Sequence, residues 1–336
     1  MRQTINISTS TIFRFALIVL GLIFLYLISD ILLTVFIAVI IAAAIDGPVD
    51  WLAKHRVRRT LGTVIIYLTI LLALLAFIYW ALPPLAGQVK ILASVLPGYL
   101  DKVGINITIL QHKFSSEYSQ KMLENFSSQL YGFTSNVFGT AVNIFGGIFS
   151  ACVIVVMSFY LTVQDKGIKK FLATIVPVQH RAYAANLAER IQSKLGKWLR
   201  GQLFLMLIIA VLVFVGLSFL RVNFALTLAI IAGLLEIIPY IGPILAGFTV
   251  ATLAFLQAPL LGLLVLILFV AIHQLEGYVI IPQVMKRAVG LNPLVVIISM
   301  IIGAKLMGVM GVVVAVPIVA TISVFLGDIF MHKNEN

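Results

Sequence analysis

Residues 236–243 read EIIPYIGP and fall in the middle of an apolar run that extends from 224 to 256. A second run, 292 to 327, is interrupted in the same way by GAKLMGVMG at residues 303–311. At about 33 and about 36 residues, each is too long for one membrane crossing and short for two, since roughly 20 residues traverse the hydrocarbon core. Pro239 and Pro243 lack a backbone donor and clash with the preceding turn, while Gly242, Gly303, Gly308 and Gly311 tolerate the angles of a reversal. Both runs are therefore predicted to be broken helices that form re-entrant hairpins.

The rest of the chain has the composition of a membrane protein. Across 336 residues the hydrophobic fraction is 62% and the charged fraction 10%, with a mean hydropathy of +1.14; a water-soluble domain could not bury so much apolar surface. Six further apolar regions occupy 12–28, 31–45, 61–82, 140–163, 202–220 and 259–281. The stretch 12–28 follows basic residues but no small-residue cleavage site comes after it, so it is read as a retained first span. The region 31–45 is short and ends at Asp46-Gly47-Pro48, which predicts an incomplete span or one that tilts little. The expected fold is all-α, a polytopic helical membrane protein with about six to eight transmembrane segments, two of them broken or re-entrant.

Charge sets the orientation. Lys54, Arg56, Arg58 and Arg59 fill the loop after the second region, and Lys166, Lys169, Lys170, Arg181, Arg190, Lys194, Lys197 and Arg200 crowd 164–201. Both segments are expected in the cytoplasm. In 83–139 the lysines are nearly balanced by Asp101, Glu117 and Glu124, which places that region outside. Re-entry of the 224–256 run from the outside also brings Lys286 and Arg287 to the cytoplasm, along with both termini. The net charge of +11 is thus accounted for by topology, without nucleic acid as a partner. The expected organisation is N-terminal transmembrane helices (1–82), an extracytoplasmic amphipathic helical region (83–139), a transmembrane helix (140–163), a cytoplasmic basic amphipathic helix (164–201) and a core with two broken hairpins (202–336). In the amphipathic helix, Leu187, Ile191, Leu195, Trp198 and Leu199 form an apolar stripe. Either the stripe rests on anionic headgroups with Trp198 at the interface, or the helix only anchors the loop inside.

Two broken segments entering from opposite faces are the layout of inverted repeats in secondary transporters, with the solute between the tips. Non-helical backbone at that depth requires protein or a water-filled cavity around it. Ionisable residues there are costly and usually functional. Glu236 precedes Pro239, and Lys305 lies in the second tip, where the two could pair; alternatively Glu236 takes up a proton or a cation. Gln274 and Glu276, near the inner end of 259–281, are further lining candidates beside His273. The five histidines show no metal-ligand spacing, and Cys152 stands alone in an apolar run, so no metal site and no disulfide framework is expected. HExxH, GxSxG and P-loop patterns are absent, which argues against enzymatic chemistry, catalytic residues, cofactors and ATP-driven movement. A channel or a scaffold membrane protein remains an alternative to a carrier.

Several ordered motifs together resemble the autoinducer-2 exporter (AI-2E) family of permeases: SFYLTVQD at 158–165, RGQ at 200–202, EIIPYIGP at 236–243, Gln274 with Glu276, Pro282, VGLNP at 289–293, GVMG at 308–311 and Pro317. Asn292 departs from the pattern, because many relatives carry His at that place. The resemblance implies gradient-driven transport in a bacterial inner membrane and a homo-oligomeric assembly. Some members export autoinducer-2, and others look like sodium or lithium/proton antiporters. For either substrate, a small polar solute or a monovalent cation with protons, alternating access would use Glu236, Pro239, Gly242 and Pro243 as outer gate and binding backbone, with Tyr240 a further candidate binding residue. Lys305, Gly308 and Gly311 would form the inner gate.

Opposed hairpins predict that Tyr240→Cys and Met307→Cys, in a chain without Cys152, are labelled by impermeant maleimide from opposite sides. Labelling of both from the same side under all conditions would contradict it.

Overall fold

The computed structural model describes residues 9–76, 79, 148–164, 176–285 and 292–333. The extracytoplasmic region expected at 83–139 and the connector carrying Lys286 and Arg287 lie outside the described residues. Among those described, the regular structure is helical: α1 (Thr9–Leu27), α2 (Ser29–Lys54), α3 (Arg59–Ala76), α4 (Ile148–Val163), α5 (Arg181–Phe219), α6 (Ala225–Leu235), α7 (Ile241–Gln257), α8 (Pro259–Leu275) and α9 (Pro293–Lys333). Beyond α8 the chain continues through a π-helical turn, Glu276–Ile280, and a last short turn, Ile281–Met285. Among the described residues, five helical stretches are long and apolar enough to cross a membrane: Ser29–Lys54, Arg59–Ala76, Val178–Phe219, Pro259–Val284 and Pro293–Asp328.

Both predicted breaks are reversals. Between α6 and α7 the Ile241 amide donates to the Pro239 carbonyl at 2.7 Å across Tyr240, whose φ of 64° and ψ of −48° are those of a strained γ-turn. Such a conformation costs on the order of 1–3 kcal/mol and persists only where the surroundings hold it. The arms are close enough to hold it: a β-carbon added to Gly242 would lie 2.0 Å from the Leu235 carbonyl oxygen. Inside α9, Met307 and Gly308 leave helical geometry, Gly308 with φ 59° and ψ −140°, angles that only glycine adopts readily. A β-carbon on Gly303 would fall 2.3 Å from the Gly311 carbonyl, and one on Gly311 2.0 Å from that of Gly303. Eight residues of uninterrupted helix would separate these by about 12 Å, so α9 is two antiparallel arms, not one rod. Asn292 caps the first arm, its Oδ1 accepting from the Leu294 amide at 2.9 Å.

The long helix α5 joins the two reversals. Leu205, Ile209, Val213 and Leu217 recur every four residues, buried against Leu228, Ala229, Ala232, Val250, Ala254 and Phe269 of the first hairpin and α8. Nearer its start, Leu195 and Trp198 pack with Ile40 and Ala43 of α2 and with Val296, Met300, Val312 and Val316 from both arms of α9. This corrects the expectation that Trp198 rests at a lipid headgroup interface. Trp198 is 3% exposed, and the apolar stripe of α5 is consumed by protein because two neighbouring helices offer it small residues to approach.

A second correction concerns α2. The helix continues through Asp46-Gly47-Pro48 to Lys54, well past the apolar region 31–45, and is long and apolar enough to cross a membrane. Pro48 withdraws the amide that would bond the Ala44 carbonyl. Arg200 replaces it, donating from Nη1 to Ala44 at 2.7 Å and to Ala43 at 3.3 Å. The absence of a side chain at Gly47 admits that guanidinium, since a β-carbon there would meet Arg200 Nη1 at 2.9 Å. Beyond it, Arg59 bonds Asp46 at 2.8 Å, Asp50 at 2.6 Å and the Thr162 carbonyl at 2.9 Å, while Gln192 donates to Asp46. These contacts tie α2, α3, α4 and α5 at one end.

Close packing gives a sign test. Gly196→Ala would place its β-carbon 2.1 Å from the Ala43 carbonyl, and overpacking of that kind typically costs about 1–3 kcal/mol. Thermal unfolding in detergent is expected to show a clear loss for Gly196→Ala. Gly21→Ala, with nothing within 4 Å of the added atom, is expected to be neutral or slightly stabilising through helix propensity.

Candidate functional site

Helix α6 ends at Leu235, where the Ile237 and Ile238 amides close the last turn on the Leu234 and Leu235 carbonyls at 3.3 and 3.0 Å, and the next carbonyl, that of Glu236, is met by a side chain. Gln202, 2% exposed on α5, donates from Nε2 to the Glu236 carbonyl at 2.6 Å. The Arg200-Gly201-Gln202 motif therefore serves two helix interruptions: Arg200 the proline in α2 and Gln202 the first reversal. Glu236 is held at the base of the turn with its side chain directed inward, 2% exposed.

Two groups from the end of α8 meet it. Oxygen atoms of Glu236 and Glu276 and a ring nitrogen of His273 all lie within 4.8 Å of one another. His273 Nδ1 is 2.6 Å from Glu276 Oε2, at the three-residue spacing that aligns side chains on one helix face. Glu276, 5% exposed, opens the π-helical turn, a local widening of the helix that recurs at functional sites. His273 Nε2 and Glu236 Oε2 are buried and have no hydrogen-bond partner among the described residues.

Charge balance says what this arrangement can do. Two carboxylates no more than 4.8 Å apart repel by at least about 3.5 kcal/mol even at an effective dielectric of roughly 20. His273 Nδ1 contacts Glu276 Oε2, whereas Glu236 Oε2 has no hydrogen-bond partner among the described residues. Glu236 is then the group that needs a proton or a cation, because an unpaired buried carboxylate is costly. The three side chains have the spacing to share one cation.

The other residues singled out from sequence divide. Pro239, Tyr240, Gly242 and Pro243 form the reversal beside Glu236, with Gly242 buried and Tyr240 46% exposed. Gln274 is exposed. Gly308 and Gly311 form the second reversal. Lys305 is exposed near it and forms no ion pair with Glu236 among the described residues, so the carboxylate's charged neighbours are His273 and Glu276. His273 had no ligand partner in the linear spacing of histidines, yet here it joins two carboxylates that are far apart in sequence. Its signal was the His-x-x-Glu pair, which shares a helix face.

Replacing Gln202 by Leu keeps the volume and strands the Glu236 carbonyl, and an orphaned buried acceptor costs about 1–3 kcal/mol. Thermal unfolding of Gln202→Leu is expected to show that loss; a variant as stable as the wild type would mean that the carbonyl does not depend on Gln202.

Comparison with known proteins agrees with this architecture. The model of the AI-2E family transporter matches residues 15–331. "Putative transport protein YueF" of Bacillus subtilis is 25% identical over 312 residues, 88% of this chain and 84% of the relative. "Putative transport protein YrrI" of the same organism is 24% identical, covering 90% of this chain and 89% of the relative. "Putative permease PerM" of Escherichia coli K12 is 23% identical, covering 90% and 88%. A match over nearly the whole length, on a chain with several apolar helices able to span a bilayer, makes this a multi-pass membrane protein that belongs to the AI-2E family of transporters.

Proposed function

We propose that the chain is a gradient-driven secondary carrier that exports a small polar solute of the autoinducer-2 type by alternating access, coupled to a proton or monovalent cation bound between Glu236 and Glu276. The observation that carries this reading is the convergence of two buried carboxylates and His273 at the first reversal. Ionisable groups kept at such depth are retained for relays and ion sites, since apolar side chains would pack at lower cost. The second reversal, between Gly303 and Gly311, supplies the opposing element that alternating access requires. Cation/proton exchange without a solute is the second reading, favoured because every side chain in the cluster is ionisable.

Purified protein in liposomes separates the possibilities. Autoinducer-2 efflux and sodium-driven proton movement are measured for wild type, Glu236→Gln and Glu276→Gln. Each amide variant keeps the shape and removes the charge, and each is expected to lower coupled proton movement about tenfold or more, equivalent to at least about 1.4 kcal/mol. If the variants move solute as well as wild type and none of the proteins moves protons, the carboxylates do not couple transport.

A further inference from the structure

A separate polar arrangement lies where α5 crosses the second arm of α9. A cavity of about 510 Å³ opens there between Arg190, Ser193, Lys194 and Lys197 on one side and Ser323 and Asp328 on the other. Arg190 and Asp328 pair fork to fork, Nη1 donating to Oδ1 at 2.5 Å and Nη2 to Oδ2. Lys194 is treated differently. It is half-buried, and its Nζ donates to Ser323 Oγ at 2.8 Å, while the Ser323 hydroxyl in turn donates to the Ala320 carbonyl at 2.8 Å. An ammonium has three donors, so two remain, and among the described residues no carboxylate forms an ion pair with it. Lys197, nearly one turn further along the same face, is exposed and likewise has no ion pair among the described residues. Glu189 lines the same cavity, one turn before the lysines, so the positive side of the cavity is the side of Lys194, Lys197 and Ser323.

A cavity bordered by a half-buried cation that forms no ion pair among the described residues can take an anion beside that cation, away from the Glu189 and Asp328 carboxylates. We propose that this cavity binds a phosphate-bearing anion, with Lys194 and Lys197 as its cationic ligands and Ser193 as an additional hydroxyl donor. Basic pockets between membrane helices take lipid headgroups by the same chemistry, and a free phosphate compound is the other source. The site does not depend on the carrier mechanism and uses none of its residues.

The test is ligand-dependent stabilisation of the full-length protein in detergent, with wild type, Lys194→Gln/Lys197→Gln and Lys54→Gln as an exposed basic control. Phosphatidylglycerol, phosphatidylcholine and inorganic phosphate are added in separate arms. A ligand that binds only the folded state raises the melting temperature. Phosphatidylglycerol is expected to raise it by several degrees for wild type and Lys54→Gln, and by less than a third as much for the double variant, with phosphatidylcholine inert throughout. An equal shift from inorganic phosphate that is also lost in the double variant assigns the site to free phosphate compounds and supports the same chemistry. An unchanged response in the double variant, or no response to either anion in wild type, overturns the proposal. The double variant's melting temperature without ligand shows whether it has folded; if it has not, Lys194→Arg, which keeps the charge, is expected to keep the phosphatidylglycerol response, and its loss would likewise overturn the proposal.

Discussion

A helix interrupted among apolar side chains frees backbone groups that lipid cannot satisfy, and this constraint organises the chain. Among the described residues such interruptions include Pro48 in α2, the turn at 236–240 and the kink at Met307-Gly308, with Pro317 a further proline inside α9. One short motif on α5 serves the first two, through Arg200 on the Ala44 carbonyl and Gln202 on the Glu236 carbonyl. The third is closed by glycines that let two backbones touch. Helix α5 thus does more than cross the membrane; it is the common support for the elements that are not simple helices. Two separate buried clusters, one against each hairpin, line up along it.

The same constraint explains where the ionisable groups sit. A reversal already needs polar partners, so the region around it is the least expensive place in an apolar bundle to keep a carboxylate. Glu236 occupies the base of the turn, and α8 brings His273 and Glu276 to it just where a π-helical turn begins. Tyr240 in a left-handed conformation and the close approach of Gly242 to Leu235 make the turn a strained, tightly determined element. Strain of this kind accompanies binding and switching sites in general. Small changes in the angle between the arms would alter how Glu236 meets Glu276.

Much of this was legible in the sequence because backbone chemistry is local. Pro239, Gly242, Pro243 and the glycines at 303, 308 and 311 announce reversals by what they cannot do, and the apolar runs announce lipid. Tertiary pairings were less visible. Pro48 looked like an end to a span because the residue that repairs it, Arg200, stands more than a hundred positions away. Trp198 looked like an interface anchor because an amphipathic stripe reads the same whether lipid or protein covers it. Glu236 had Lys305 and an incoming proton or cation as candidate partners, and the fold supplied Glu276 and His273, which share a helix face with one another but no sequence neighbourhood with Glu236.

The central claim is that Glu236 and Glu276 act as one unit. A double-mutant cycle of proton-coupled flux in liposomes, comparing Glu236→Gln, Glu276→Gln and the pair, tests it most directly. If the two carboxylates share one bound proton or cation, the double variant is no slower than the slower single variant. Losses that multiply, as for independent groups, would contradict it.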